Sequence, residues 1–335
     1  MTETRAASEN VREVAENIYS IRLPMPFGLD HINTYLIKEN NRLALVDCGL
    51  DLPESWEALN SAFAHLGIPM SELTDIFVTH GHPDHIGQLP RLRRVSPEAR
   101  LFLHKQEYKL LSDRADQANA LGHIQEWLDR NGANDLSAQM LVGTANDLVP
   151  RLQNGDTLLN GGEQLKLAPE PSDATGEWQV MWTPGHTVGH FVLYNPQRGL
   201  LLSGDHLLNS ISSNIGKYPG STEDPLGDFI ASLEAISALN VNQVLPAHGK
   251  TFSNHRQRIK DLIGHHRVRL GKIYATLEHG PRTPAEVVQA IWADRATGFH
   301  RYLALVEALS HLERLHREGK VTLEEDKGVV RYRAA

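Results

Sequence analysis

Residues 79–85 read Thr-His-Gly-His-Pro-Asp-His and directly follow the apolar run Ile76-Phe77-Val78. Three imidazoles (His80, His82, His85) and one carboxylate (Asp84) fall within six residues, a density of donors that core packing does not explain. An apolar run broken by Gly and Pro predicts a buried strand that ends in a loop, so these side chains should project together from its end. Imidazole suits zinc, iron and nickel, and the carboxylate adds charge for a harder ion. Four donors in so short a loop can serve two adjacent metals, more than one tetrahedral site needs.

The segment resembles the His-x-His-x-Asp-His signature of the metallo-β-lactamase-fold hydrolases, without departure. That family has three further ligands, a His, a bridging Asp and a last His, each at a strand end. This chain offers Thr183-Pro184-Gly185-His186 after Trp178–Trp182, Ser203-Gly204-Asp205 after Gly199–Leu202, and Pro246-Ala247-His248-Gly249 after Val241–Leu245. The resemblance covers roughly residues 15–262. It implies an α/β (α+β) fold, an αββα sandwich, with His80, His82 and His186 on one metal, Asp84, His85 and His248 on the other, and Asp205 bridging. The implied cofactors are two divalent ions, zinc first, with iron or manganese as alternatives, since ligand type discriminates poorly among them. The implied reaction is attack by a metal-bridging hydroxide on a carboxylic ester, thioester or lactone, in the manner of glyoxalase II, with Asp84 also accepting a proton. A structural zinc would instead be closed by four ligands, commonly rich in cysteine. Asp47 and His190 resemble the residues that support such a site from behind without ligating. Cys48 reads as a small buried side chain.

The surrounding elements must carry these loops. Apolar alternation predicts strands at 18–23, 33–37 and 43–47 after a loose tail over 1–12. Trp56, Leu59, Phe63 and Leu66 recur at helical spacing and Gly67 ends that helix. A strand at 73–78, a helix from 86 to 94 and a strand at 100–104 follow. Residues 105–150 read as a helical insert, because His85 and His186 stand 101 positions apart. Leu121, Ile124 and Leu128, with Trp127 beside them, make an apolar stripe that suggests a lid and a substrate with a hydrophobic portion. His31, Trp127 and Tyr218 are the expected substrate contacts, His31 also being readable as an exposed loop residue. Asp224-Pro225 predicts a capped helix start.

The expected domains are a hydrolase domain over 13–262 and a winged-helix-like module over 263–335. Within the module, helices are predicted at 267–279 and 302–317, a capping box at Thr283 and Glu286, and a hairpin around 324–328. From Arg267 onward 12 Lys and Arg face 9 Asp and Glu, and the hairpin turn carries Glu324, Glu325 and Asp326. That charge disfavours a nucleic-acid reader and leaves a structural role, or a homodimer, as the module's expected use. Two other functions fit the same residues: a phosphodiesterase or ribonuclease, and a ligand-binding sensor with a partner-binding module. Over all 335 residues the net charge is −8, 41% of residues are hydrophobic and cysteine occurs once. No apolar run approaches the ~20 residues of a spanning helix, and Met1–Arg5 is polar. The expectation is a cytoplasmic enzyme acting on a small molecule, without membrane partners.

Overall fold

The computed structural model describes residues 10–26, 28–39, 41–116, 120–139, 149–166, 177–293 and 296–335. Most of the expected tail, the turn residue Asn40 and the end of the insert lie outside them. Strands β1 (Val11–Ala15), β2 (Ile18–Pro24), β3 (His31–Glu39), β4 (Arg42–Val46), β5 (Asp75–Val78), β6 (Arg100–His104) and β7 (Thr157–Leu159) form one sheet in that order. The second sheet runs β12 (Gln243–Pro246), β11 (Leu200–Gly204), β10 (Phe191–Asn195), β9 (Glu177–Trp182), β8 (Gln164–Lys166). Neighbours from β4 to β7 pair in parallel, as do β11 and β12, whereas β1 to β4 and β8 to β11 pair antiparallel. β1 is a departure from expectation: Val11 and Arg12 belong to a strand on β2, not to a loose tail.

Alternation along each strand separates three layers of core. On β5, Ile76 and Val78 face one cluster while Phe77 faces another. Phe77 and Phe102 stack at 4.5 Å between the sheets, with Trp178, Phe191, Leu202 and Leu245 from the second sheet. Helices α1 (Pro53–Leu66), α2 (Pro83–Ile86) and α3 (Leu89–Val95) cover the outer face of the first sheet with Leu59, Phe63, Ile86, Leu89 and Leu92. Gly67 ends α1 in the left-handed conformation, at φ 65°, which a residue without Cβ adopts at little cost. After helices α4 (Lys105–Asp116) and α5 (Ala120–Arg130), helix α6 (Pro225–Ser237) covers the second sheet with Leu226, Phe229, Leu233 and Ile236. The order helix, sheet, sheet, helix is the expected sandwich. Parallel strands covered on both faces need apolar residues throughout, which is why β5 and β11 read as runs and not alternations.

Beyond the sandwich lie α7 (His255–Leu277), α8 (Pro284–Trp292), α9 (Phe299–Arg317) and the hairpin β13 (Val321–Asp326) with β14 (Val329–Ala334). Thr283 and Glu286 close the capping box in both directions. Helix α7 begins at His255, twelve residues before its expected start, and runs unbroken through 262/263. Its first half, through Ile259 and Leu262, packs on α6; its second, through Ile273 and Leu277, packs on the C-terminal helices.

The apolar stripe expected to face the substrate is packed elsewhere. The apolar face of α5 (Ile124, Trp127, Leu128) packs with Ile273, Leu277, Ala285 and Leu309 of the C-terminal cluster. Trp127 meets Tyr302 edge to face, with ring centroids 6.5 Å apart. A stripe of apolar residues at helical spacing requires a partner surface, and here the C-terminal helices supply it.

Candidate metal centre

Every expected ligand follows the end of a strand, and the strands point the same way. His80 follows β5, His186 follows β9, Asp205 follows β11, and His248 follows β12. Pro83 occupies the first turn of α2 and His82 its N-cap, so Asp84 and His85 leave the chain within one helical turn. The two sheets are tied at this edge. Asn33 N donates to Ala247 O at 2.7 Å, the Asn33 amide donates to Pro246 O and Gly249 O, and Tyr35 Oη donates to Pro246 O at 2.8 Å.

Three overlapping groups of donors converge: His80, His82 and His186; His80, His85 and Asp205; Asp84, His85 and His248. In the first, His80 Nε2, His82 Nδ1 and His186 Nε2 lie 2.8, 3.1 and 3.3 Å from one another. Tetrahedral ligands about 2.0–2.1 Å from a zinc ion stand about 3.3–3.4 Å apart, so this tripod is close to the spacing that an ion imposes. In the last, His248 Nε2 is 3.2 Å and His85 Nε2 3.6 Å from Asp84 Oδ2. Asp205 turns one oxygen to each: Oδ2 lies 3.5 Å from His186 Nε2, and Oδ1 lies 3.5 Å from His85 and 3.4 Å from His248. His85 Nε2 and Asp205 Oδ1 are fully buried and hydrogen-bond to nothing among the described residues. Buried polar atoms without partners are costly, and a shared cation satisfies both. The donors therefore fit divalent ions.

The groups behind the donors aim them. Asp47, buried and at φ 62°, accepts from Thr79 N and from His85 Nδ1, each at 2.8 Å. This holds His85 by its Nδ1–H and turns Nε2 inward. His186 Nδ1 donates to Asn214 O at 2.9 Å, and His248 Nδ1 donates to His31 O at 3.0 Å. His31 thus reaches the site through its main chain. Its ring is 9% exposed and lies between Asp30 and Arg22. His190 is absent from the converging groups; its Nε2 accepts from Asp205 N at 3.1 Å, so its Nδ1–H faces Thr183 Oγ1 at 2.8 Å. Gly204, at φ 50°, must be glycine in practice, because a Cβ there would meet His190 Nε2 at 2.7 Å.

Glu107, at the start of the insert, carried no signal in the sequence. It is 2% exposed and accepts from Gly81 N at 2.9 Å, Thr187 Oγ1 at 2.8 Å and Gly189 N at 2.8 Å. One carboxylate thereby joins the loop of His80 and His82 to the loop of His186. Tyr218 lies beyond this point, its ring 5.1 Å from the Arg114 guanidinium carbon.

Electrostatics divide the donors. Burial and the neighbouring imidazoles push His80 well down and His82 to about 3, so both present lone pairs. Burial alone would depress His85 too, but Asp47, Asp84 and Asp205 carry it well up. His248 is likewise lifted to about 9, against its burial, by Asp205 and Asp84. Asp205 stays well below the usual carboxylate range, because His248 and His85 outweigh its burial.

An αββα sandwich with seven His and Asp donors at one sheet edge defines a metal-binding hydrolase scaffold. The chain belongs to the metallo-beta-lactamase superfamily, whose profile matches residues 27–248, and it is a metal-dependent hydrolase of that superfamily. A second profile, the metallo-beta-lactamase-like C-terminal domain, matches residues 270–335. The chain is 26% identical over 311 residues to the "Probable metallo-hydrolase YqjP" of Bacillus subtilis, covering 92% of this chain and 94% of the relative. It is 28% identical over 219 residues to the hydroxyacylglutathione hydrolase of Pseudomonas putida, covering 64% and 60%. A metallo-beta-lactamase family protein of Thermus thermophilus superposes with a TM-score of 0.82 at 29% identity, covering 96% of this chain and all of that one. A Burkholderia ambifaria beta-lactamase domain protein gives 0.83 at 29% identity, covering 97% and 94%.

Proposed function

We propose that this chain is a dinuclear hydrolase of carboxylic esters, thioesters or lactones, with zinc the first choice of ion. The observation that carries the reading is the disposition of Asp205, one oxygen toward the His80–His82–His186 tripod and the other toward His85 and His248. One ion would be held by the tripod, a second by Asp84, His85 and His248, and Asp205 would face both. Two such ions bring a water's pKa toward neutrality and polarise the oxygen of the group attacked. The chain's own part is positional. Asp47, Asn214 O and His31 O fix the tautomers of His85, His186 and His248, and His190 accepts from the Asp205 main chain. Glu107 clamps two ligand loops, and half-buried Asp84 stands where it can take up the proton released by the water. The hydroxyacylglutathione hydrolase among the relatives supports the acyl substrate class. The exposed acidic end of β13, where Glu324, Glu325 and Asp326 lie on the strand and not in the expected turn, disfavours a nuclease.

The test is turnover by metal-loaded protein of an acyl thioester, an acyl lactone, an aryl phosphodiester and a short RNA. Acyl turnover that Asp84→Asn lowers by at least a hundredfold is expected. Turnover of only the phosphodiester or the RNA would replace this reading with the nuclease one.

A further inference from the structure

Helix α4 does more than carry Glu107. Glu107, Leu111 and Arg114 recur at four- and three-residue spacing and so share one face. Glu107 holds Gly81 N, and the Leu111 methyls lie 3.0 Å from where a Gly81 Cβ would stand, so this face runs along the His80–His82 loop. Arg114 comes one turn further on. Opposite it is the loop after Asp205, which holds His186 through Asn214 O and then presents Tyr218. That loop is packed closely on both sides. A Cβ on Gly220 would meet Leu110 at 2.5 Å, and one on Gly216 would meet Val306 at 2.9 Å. Asn214 Nδ2 donates to Leu303 O, and Lys217 N to Val306 O, so α9 brings Tyr302 to the same place.

Three segments far apart in sequence therefore meet beside the tripod and deliver one guanidinium and two phenols. Arg114 lies over the Tyr218 ring at 5.1 Å, and its charge also reaches the Tyr302 phenol. The other cation nearby is occupied: Lys217 Nζ donates to Thr222 O at 2.7 Å. Among the described residues no carboxylate pairs with Arg114. A half-buried guanidinium that pairs with no carboxylate among the described residues, and that lies against one phenol and near a second, is a receptor for anionic oxygens.

We propose that Arg114, with Tyr218 and Tyr302, forms a subsite that binds a carboxylate or phosphate group on the non-reacting part of the substrate. The inference rests on the hydrolase reading of the neighbouring centre and adds a substrate class to it: acyl compounds with an anionic group some distance from the bond cleaved. The subsite is shared by the insert, the post-Asp205 loop and the C-terminal helices, so substrate recognition uses all three.

The experiment measures calorimetric binding of three non-hydrolysable benzyl thioethers to the metal-loaded protein. They are matched in length and end in a carboxylate, a phosphate monoester or a neutral amide. At least one anionic compound should bind roughly 10- to 100-fold more tightly than the amide, the range for hydrogen bonds to a charged group. Arg114→Gln should reduce that ratio to within threefold, Arg114→Lys should keep part of it, and Arg94→Gln, at an exposed position of α3, should keep all of it. The order of the two anions then identifies the source. Equal binding of all three compounds, no binding of any, or a preference that survives Arg114→Gln would overturn the subsite; the last outcome would place the anion on the metals. Turnover of a neutral phenyl ester is measured in parallel. Turnover without anion preference overturns the subsite alone, and anion preference without acyl turnover overturns the acyl reading alone.

Discussion

A carboxylate outside the converging donor groups joins two of the loops that carry them. Glu107 satisfies Gly81 N, Thr187 Oγ1 and Gly189 N at once, and a Cβ on Gly189 would collide with its backbone at 2.4 Å. In Glu107→Gln the amide group must face at least one donor, leaving it buried and unpaired, at about 1–3 kcal/mol for each such group. The expected outcome is a loss of about 3 kcal/mol in denaturant unfolding and weaker retention of metal during dialysis against a chelator. Unchanged stability and metal content would show that Glu107 does not hold the loops. At this scale His80, His82, Asp84, His85, His186, Asp205 and His248 were legible because each follows an apolar run and most stand beside a glycine. Glu107 was not, because a glutamate in the first turn of a helix is ordinary.

The elements were legible to different degrees for a similar reason. Gly67, Asp224-Pro225 and the Thr283–Glu286 box are local signals, and each marks a helix end in the structure. The partner of an apolar face is not a local matter. The stripe on α5 suits a lid, a sheet or another helix, and it is the C-terminal cluster that buries it. Trp127→Ala should accordingly cost about 2–3 kcal/mol, below the full large-to-alanine range because the ring is only half-buried. It should leave the preference for acyl chain length unaltered, read as the ratio of kcat/KM for short and long acyl esters. A selective loss on long chains would restore the lid. The early start of α7 is not legible because its first half, His255 to Gly264, is rich in charge and shows only a weak apolar period.

At the scale of the whole molecule, α7 joins the sandwich to the C-terminal helices, and a buried histidine pair lies on that joint. His266 packs on Phe229 of α6 with ring centroids 5.6 Å apart, and its Nδ1 lies 3.2 Å from His311 Nε2. His311 Nδ1 donates to Glu307 O at 2.7 Å, so its Nε2 accepts and His266 Nδ1 donates. Both rings must stay neutral in this arrangement, and burial first, then nearby cationic groups, holds His266 at about 3 and His311 at about 4. The unfolded chain takes up protons below about 6.5 while the folded one does not, so stability is full above that pH and falls as pH drops toward 4. His311→Leu should narrow the stability difference between pH 7.5 and pH 5 by roughly 2 kcal/mol. An unchanged difference would mean that the pair is not the source of acid sensitivity. What the sequence alone determined about this protein is the chemistry that its short stretches can perform. Donor types at strand ends, helix caps and the period of each strand all follow from neighbours a few residues apart. The tertiary structure decided which nitrogen of each imidazole faces inward, that Glu107 clamps the site, that α5 serves the C-terminal helices, and that Arg114, Tyr218 and Tyr302 meet. Those pairings join residues tens to hundreds of positions apart, and each depends on which of several equally apolar surfaces the chain buries together.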